Sequence, residues 1–132
     1  MGKLLQRLQD ASRSGVYRAS RDAEVLEALP STTKLAFKGA RTKAELLERI
    51  EKQLALPEWW GRNWDALEDC LAERDGHLLL YDYREVPADD LGVLIDVLGS
   101  AAEFWSAQGK PFFAIFVDPQ RALGLPDLFR EA

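Results

Sequence analysis

The sequence contains very few of the side chains on which most enzymes depend. Cys70 is the only cysteine and His77 the only histidine, so an internal disulfide is excluded and no recognised spacing sets a base beside a nucleophile. We expect Cys70 to be a packed small side chain and His77, which directly precedes an apolar run, to hold a structural position. A lone cysteine is also typical of a reducing compartment, which predicts a cytoplasmic protein.

Long apolar runs and the common cofactor motifs are missing too. No run approaches the roughly 18–20 apolar residues of a membrane span, and residues 1–10 predict an amphipathic helix rather than a signal peptide. The CxxC and HExxH metal motifs, the phosphate-binding GxxxxGK(S/T) loop and the GxGxxG nucleotide fingerprint are all absent from the sequence. We therefore expect no metal, no cofactor, no catalytic residue and no membrane contact.

Positive charge is also in short supply, because 17 lysines and arginines face 22 acids and leave a net charge of −5. A general nucleic-acid binder needs cationic side chains to neutralise phosphates, so we expect no direct contact with nucleic acid. An acidic protein can still bind the basic proteins that act on nucleic acids. The 132 residues and 47% apolar content suit one domain, and we expect a monomer when no partner is bound.

From residue 32 onward the apolar pattern predicts a regular α/β order. Strands are predicted over 34–38, 78–83 and 112–117, and helices over 42–54, 64–72 and 91–109. Thr42 and Glu45 form a capping-box pattern, and Asn63 is a good N-cap for the middle helix. The unbroken leucine run 78–80 predicts burial on both faces, and strand–helix–strand crossovers favour a parallel sheet.

The chain divides into an N-terminal extension over 1–31, a compact domain over 32–118 and a C-terminal tail over 119–132. In the extension we expect an added edge strand over 15–18 and a short helix that begins at Ser20 or Asp22. One or two helical turns are predicted over 126–132. Because the regular elements lie later, we expect the extension to be dispensable for function.

The most informative stretch is 54–71, with the sequence LALPEWWGRNWDALEDCL. Asp65, Glu68 and Asp69 form an acidic stripe along its helix. Leu67 and Leu71 lie on an opposite, apolar stripe. Six acids and two arginines give residues 58–75 a net charge of −4. Acids three or four positions apart repel each other, so this helix is not built for its own stability. The simpler alternative is an ordinary solvated face.

Three tryptophans crowd the start of this acidic helix, namely Trp59, Trp60 and Trp64. Tryptophan is common among the anchor residues of protein interfaces. Trp64 shares the apolar stripe, so we expect it in the core and expect Trp59 or Trp60 to be exposed. Asp65 and Asp69 also raise the alternative of a glycosidase-like enzyme, in which two acids flank the scissile bond, although no cleft is evident.

Residues 54–71 closely resemble the signature of the barstar family, whose members are intracellular inhibitors of ribonucleases. The family pattern is L-A-L-P-E, two aromatics, then G-x-N-x-D-A-L-x-D-C-L, and this chain matches every specified position. The resemblance covers about residues 32–118. It implies an α/β, barstar-like fold with a three-stranded parallel sheet packed with helices, and it implies binding to a basic, extracellular-type ribonuclease.

The resemblance also implies roles for individual residues. The aromatic at Trp59 would lie against the catalytic histidine of the enzyme, Asp69 would occupy the substrate-phosphate site, and Asp65 would pair with another basic group. Backbone around Gly61 and Asn63 would also contact the enzyme. The complete set of expected partner-binding residues is Trp59, Trp60, Gly61, Asn63, Trp64, Asp65, Glu68 and Asp69.

Several positions depart from the residues found elsewhere in the family. There, tyrosines stand in place of Trp59 and Trp60. Leucine stands in place of Trp64, and tryptophan in place of Glu68. A further contact tryptophan is replaced by Arg74, and the acid on the later helix falls at Phe104, beside Glu103. These changes leave open a second interpretation, a barstar-like interaction module that binds another nuclease toxin or a partner that is not a ribonuclease.

Overall fold

A computed structural model of the chain describes residues 8–74 and 76–129. Four strands and four α-helices with defined bounds follow one another within these residues. In order they are β1 (Gly15–Ala19), α1 (Asp22–Ala28), β2 (Thr33–Ala36), α2 (Lys43–Leu54), α3 (Trp64–Leu71), β3 (Leu78–Tyr81), α4 (Ala88–Ala107) and β4 (Phe113–Val117). The predicted α/β class is confirmed, and each strand and helix predicted between residues 32 and 118 is present.

The four strands form one parallel sheet in the order β1-β4-β3-β2. The expectation of three strands is therefore wrong by one strand. β1 pairs with β4 along its whole length, from Gly15 beside Phe113 to Ala19 beside Val117, and it corresponds to the edge strand expected over 15–18. Because β4 is almost entirely buried, it needs a strand on this side to pair with its backbone groups.

Helices cover both faces of the sheet, and the strand order explains how. The chain crosses from β1 at one edge to β2 at the other and then steps back through β3 to β4. Right-handed connections therefore put α1 on one face and α2, α3 and α4 on the other. The strand residues divide accordingly: Leu79, Phe113 and Ile115 pack with Val25 of α1, and Leu78, Leu80 and Phe116 pack in the cluster of the other helices. The run 78–80 is thus buried on both faces, as predicted.

Capping residues explain where α2 begins. Thr42 Oγ1 accepts the Glu45 backbone N–H at 3.1 Å, and the Glu45 carboxylate accepts the Arg41 backbone N–H at 3.3 Å. The predicted capping box is therefore present, although its return bond reaches one residue further back than in the usual pattern. α1 begins at Asp22, one of the two predicted positions, and Arg21 before it supplies no side-chain cap.

The segment after β4 runs alongside β1 instead of forming the expected helical turns. The Arg18 backbone N–H donates to the Pro126 carbonyl, and the Leu128 N–H donates to the Arg18 carbonyl, both at 2.9 Å. This pairing covers the outer edge of β1. The prediction of helical turns is wrong for 126–129. Residues 130–132, and the part of the predicted N-terminal helix over 1–7, lie outside the described residues.

Candidate partner-binding site

The loop between α2 and α3 turns sharply where α2 ends. Ala55 adopts the left-handed conformation at φ 53°, and the Leu56 N–H donates to the Glu51 carbonyl oxygen at 3.0 Å. Such a helix end favours glycine, because a β-carbon is unfavourable in this conformation. The Trp60 N–H then donates to the Pro57 carbonyl at 3.1 Å. The loop therefore consists of two successive turns, each closed by a backbone hydrogen bond.

Two successive residues with positive φ lead from this loop into α3. Gly61 has φ 96°, a backbone conformation that favours glycine, and a β-carbon there would lie only 3.3 Å from the Ala66 Cβ. Arg62 follows at φ 52°. Asn63 then begins the helix, because its Oδ1 accepts the Ala66 N–H at 2.8 Å. The predicted N-cap role of Asn63 is confirmed.

α3 has an apolar side and an acidic side, as predicted. Its residues divide into buried Leu67 and Leu71, half-buried Glu68, and exposed Asp65 and Asp69. Within residues 8–74 and 76–129, neither Asp65 nor Asp69 has an ion pair or a side-chain hydrogen bond. Both carboxylates are therefore free to accept from a partner. Asp75, the last acid of the predicted cluster, lies outside the described residues.

The three tryptophans of this segment occupy different environments. Trp59 is 81% exposed and Trp60 is 3% exposed, whereas Trp64 is half-buried against the edge of the core. The expectation that Trp64 holds the core position is wrong, because Trp60 holds it. Trp60 precedes α3, so its direction is set by the turn at Pro57 and not by helical periodicity. Trp59 is therefore the most exposed of the three rings.

A residue outside the sequence motif, Glu51 of α2, holds this loop. Its carboxylate accepts the Trp60 indole N–H at 2.7 Å and the Arg62 Nε–H at 2.8 Å. Hydrogen bonds from Arg62 and from Trp60 keep the pKa of Glu51 below its ordinary value. Sequence analysis did not single out Glu51, because nine and eleven residues separate it from its partners and no periodic pattern connects them.

Two further side chains fix the far end of α3. The Arg74 guanidinium donates to the Leu54 carbonyl at 3.3 Å and to Thr33 Oγ1 at 2.9 Å. The Trp105 indole N–H donates to the Leu71 carbonyl at 2.9 Å. Arg74 therefore ties the end of α3 to α2 and β2, and Trp105 ties it to α4.

Cys70 and His77 hold structural positions, in agreement with the sequence analysis. Burial raises the pKa of the Cys70 thiol, and the charges of Glu73 and Asp69 raise it further, so the reactive thiolate is disfavoured. His77 Nδ1 accepts the Phe113 backbone N–H at 3.1 Å. Burial lowers the pKa of His77, which favours the neutral ring that this hydrogen bond requires.

An open cleft of ≈ 440 Å³ lies at the carboxyl ends of β3 and β4, the edge where parallel sheets often bind ligands. Its most buried acid is Asp118, which is 1% exposed and accepts the Tyr83 hydroxyl at 2.7 Å. The buried Arg18 guanidinium donates to the Asp118 carbonyl and to the Asp127 carboxylate. In the described part of the chain, every buried side-chain nitrogen and oxygen has a partner. This network therefore serves to tie β1, β4 and the tail together.

The titration of this network agrees with a structural role. Burial raises the pKa of Tyr83 to about 12, and the hydrogen bond to Asp118 acts in the same direction. Burial acts to raise the pKa of Asp118 as well, but hydrogen bonds from Tyr83 and from the backbone of Leu123 and Ala122 outweigh it and lower the pKa. Neither group is therefore poised for proton transfer near pH 7.

Metal and membrane features can be assessed for residues 8–74 and 76–129. There, no three His, Cys, Asp or Glu side chains lie close enough together to hold a metal ion. None of the helices in those ranges has the length and apolar character needed to cross a membrane.

Fold and site together define a small α/β protein with an exposed acidic helix face beside an exposed tryptophan. A family model described as Barstar (barnase inhibitor) matches residues 31–117, which is more than half of the chain. The chain therefore belongs to the barstar family. The match runs from just before β2 to the end of β4 and includes α3 and its loop, whereas β1 and α1 precede it.

Proposed function

We propose that this chain is a cytoplasmic inhibitor of a basic, barnase-like microbial ribonuclease and catalyses no reaction itself. α3 and the loop before it would plug the active site of the enzyme. The observation that carries this proposal is the pair of exposed carboxylates, Asp65 and Asp69, which have no ion pair among residues 8–74 and 76–129 and follow the exposed Trp59.

The electrostatics of a ribonuclease explain why such a surface would bind it. A ribonuclease active site is positive, because it holds phosphodiesters and stabilises anionic transition states. Carboxylates held on one helix face can take the place of those phosphates, and the net charge of −5 steers the encounter. Asp69 and Asp65 would supply the charge, and Trp59 would supply an apolar anchor.

The other expected site residues take graded parts in this proposal. Gly61 and Asn63 are exposed and would present loop backbone to the enzyme, and half-buried Trp64 and Glu68 would lie at the margin of the contact. Trp60 is 3% exposed, so its side chain would support the loop from below.

A second candidate uses the same surface against another nuclease toxin. Phe104 of α4 is 41% exposed at the position where the family resemblance leads us to expect an acid. An uncharged ring there cannot form the ion pair that an acid would form, and it favours a partner that differs from barnase in this part of its surface. Phe104 packs edge-on against Trp105, with ring centroids 5.1 Å apart, so it is held in place.

The proposal is tested by titrating the purified chain into a barnase-like ribonuclease and measuring cleavage of a fluorogenic RNA. We expect loss of cleavage near one-to-one stoichiometry. Asp69→Ala should weaken inhibition by at least about tenfold, equivalent to about 1.4 kcal/mol. Glu27→Ala is the matched control, since Glu27 is an exposed acid of α1 on the opposite face of the sheet, and it should inhibit like the parent.

Two other results would change the proposal. Parent-like inhibition by a folded Asp69→Ala protein would exclude the phosphate-mimic mechanism. If the parent inhibits none of a panel of microbial ribonucleases but binds a different nuclease toxin through the same surface, the second candidate replaces the first.

A further inference from the structure

One basic residue interrupts the acidic surface of the candidate site. Between Glu58 and Glu73, Arg62 is the only lysine or arginine in the sequence. Its side chain is 65% exposed, and it lies in the loop between Trp60 and the cap of α3. A cation at this place would repel a basic partner and would offer the acids of α3 an internal counter-charge.

Arg62 is paired with a residue of α2 instead of with the acids of α3. The Arg62 guanidinium donates to both carboxylate oxygens of Glu51, with Nε–Oε1 at 2.8 Å and Nη2–Oε2 at 3.4 Å. The hydrogen bond to Glu51 is also the main cause that raises the pKa of Arg62. Among residues 8–74 and 76–129, Arg62 forms its ion pair with Glu51 and none with Asp65, although Asp65 lies only three residues away.

Glu51 is itself held in a defined position. Its side chain is 16% exposed, and the buried Trp60 indole donates to the same Oε1 that Arg62 contacts. The Glu51 backbone carbonyl also accepts the Leu56 N–H. One residue of α2 therefore holds the loop at its beginning, middle and end, and the carboxylate is already oriented for Arg62.

We propose that Glu51 is a positioning residue for partner binding, which withdraws Arg62 from the acidic face of α3. Asp65 and Asp69 then meet a basic partner without competition from an internal cation. This role rests on the proposed function, because it matters only where the partner carries positive charge. Releasing Arg62 would let its guanidinium swing towards α3 and lower the negative potential that steers association.

α2 offers a closely matched control. Glu48, one turn earlier, pairs with Lys52 at 2.8 Å. Glu51→Gln and Glu48→Gln each remove one negative charge from α2 and each release one cation, but only Glu51→Gln releases a cation in the loop. Glu51→Gln keeps an oxygen that can accept the Trp60 indole N–H. This variant therefore separates the effect of the Glu51 charge from that of its hydrogen bond to Trp60.

The experiment measures association with a catalytically inactive barnase-like ribonuclease by stopped flow at low and high salt. The proteins are the parent, Glu51→Gln, Glu48→Gln, Arg62→Gln and the double variant Glu51→Gln/Arg62→Gln. At low salt we expect Glu51→Gln to slow association by about threefold or more and Glu48→Gln to slow it less. In the Arg62→Gln background, Glu51→Gln should act no more strongly than Glu48→Gln does in the parent.

Each other result overturns the role. Equal effects of Glu51→Gln and Glu48→Gln, or an equal effect of Glu51→Gln with and without Arg62, would assign Glu51 no action through Arg62. The NMR resonance of the Trp60 indole N–H reports whether its hydrogen bond to residue 51 is kept. If that bond is lost, Glu51→Gln and the double variant Glu51→Gln/Arg62→Gln lose it alike, so the difference between these two proteins still isolates the effect of Arg62. A parent that binds no ribonuclease overturns the proposed function together with this role, whereas a parent that binds normally leaves the role to be judged alone.

Discussion

The side-chain amide of Gln53 on α2 forms two hydrogen bonds with the backbone of Ala36 on β2. Its oxygen accepts the Ala36 N–H at 2.7 Å, and its nitrogen donates to the Ala36 carbonyl at 2.9 Å. β2 is an edge strand, and the backbone N–H groups of Thr33 and Phe37 donate towards β3. Since alternate residues of a strand direct their backbone groups to opposite sides, those of Ala36 point outward. Gln53 therefore occupies the place that a strand of another molecule would take.

Replacing Gln53 should expose this edge. We expect Gln53→Ala to lower the free energy of unfolding by about 1 kcal/mol or less and to produce dimers or larger species that increase with concentration. Size-exclusion chromatography with light scattering measures this. Lys52→Ala, at the exposed neighbouring position, is the control and should stay monomeric. A Gln53→Ala protein that remains monomeric at every concentration would show that β2 is protected by other means.

The two adjacent tryptophans predict opposite effects on stability and binding. Trp60→Ala removes a side chain that is 3% exposed and should lower the free energy of unfolding by about 3–5 kcal/mol. Trp59→Ala removes one that is 81% exposed and should change it by only about 0.5 kcal/mol, while weakening ribonuclease binding. Urea unfolding and a binding assay on both variants check this. Equal destabilisation by the two changes would contradict the different burial of the two rings.

The only histidine predicts a loss of stability just below neutral pH. Burial keeps the pKa of His77 in the folded protein below its ordinary value of 6.5, so the unfolded chain takes up a proton first as the pH falls. The stability contribution of neutral His77 is complete above about pH 6.5 and declines as the pH falls towards the folded pKa. Protonation would also remove the acceptor of the Phe113 N–H.

Urea unfolding of the parent and of His77→Gln, at about pH 7.5 and about pH 5.5, tests this dependence. Glutamine retains an oxygen that can accept the Phe113 N–H, so the variant keeps the hydrogen bond and loses the titration. The carboxylates contribute equally to both proteins and cancel in the comparison. Identical pH slopes for the two proteins would mean that His77 does not titrate differently on unfolding.

Deleting residues 1–31 should affect stability more than binding. The deletion removes β1, leaves β4 as an edge strand and uncovers Phe113 and Ile115, which pack with α1. We expect a large fall in the denaturant midpoint. α3 and its loop lie on the other face of the sheet, so affinity for the ribonuclease should change by less than about tenfold where the truncated chain is folded. A greater loss would make the extension part of the interface.

Short-range patterns were enough to predict most of the matched region. The caps at Thr42 and Asn63 act on backbone groups three residues away, and helical periodicity separates Asp65 and Asp69 from Leu67. These interactions lie within one or two turns of the chain, so the neighbouring residues determine them largely by themselves. The acidic stripe and the family signature could therefore be predicted from the sequence.

Contacts between distant segments could not be predicted in that way. β1 pairs with β4, and Arg18 bonds with Asp118 a hundred residues later; such pairings depend on which segments meet across the sheet. Trp60, and not Trp64, became the buried ring because a turn outside any helix directs it towards Glu51. Local sequence sets helices, caps and charge stripes, since their hydrogen bonds close within a few residues. The burial of Trp60, the strand order and the ion pair of Arg62 arise only when separate elements pack together, because each depends on what lies opposite in space.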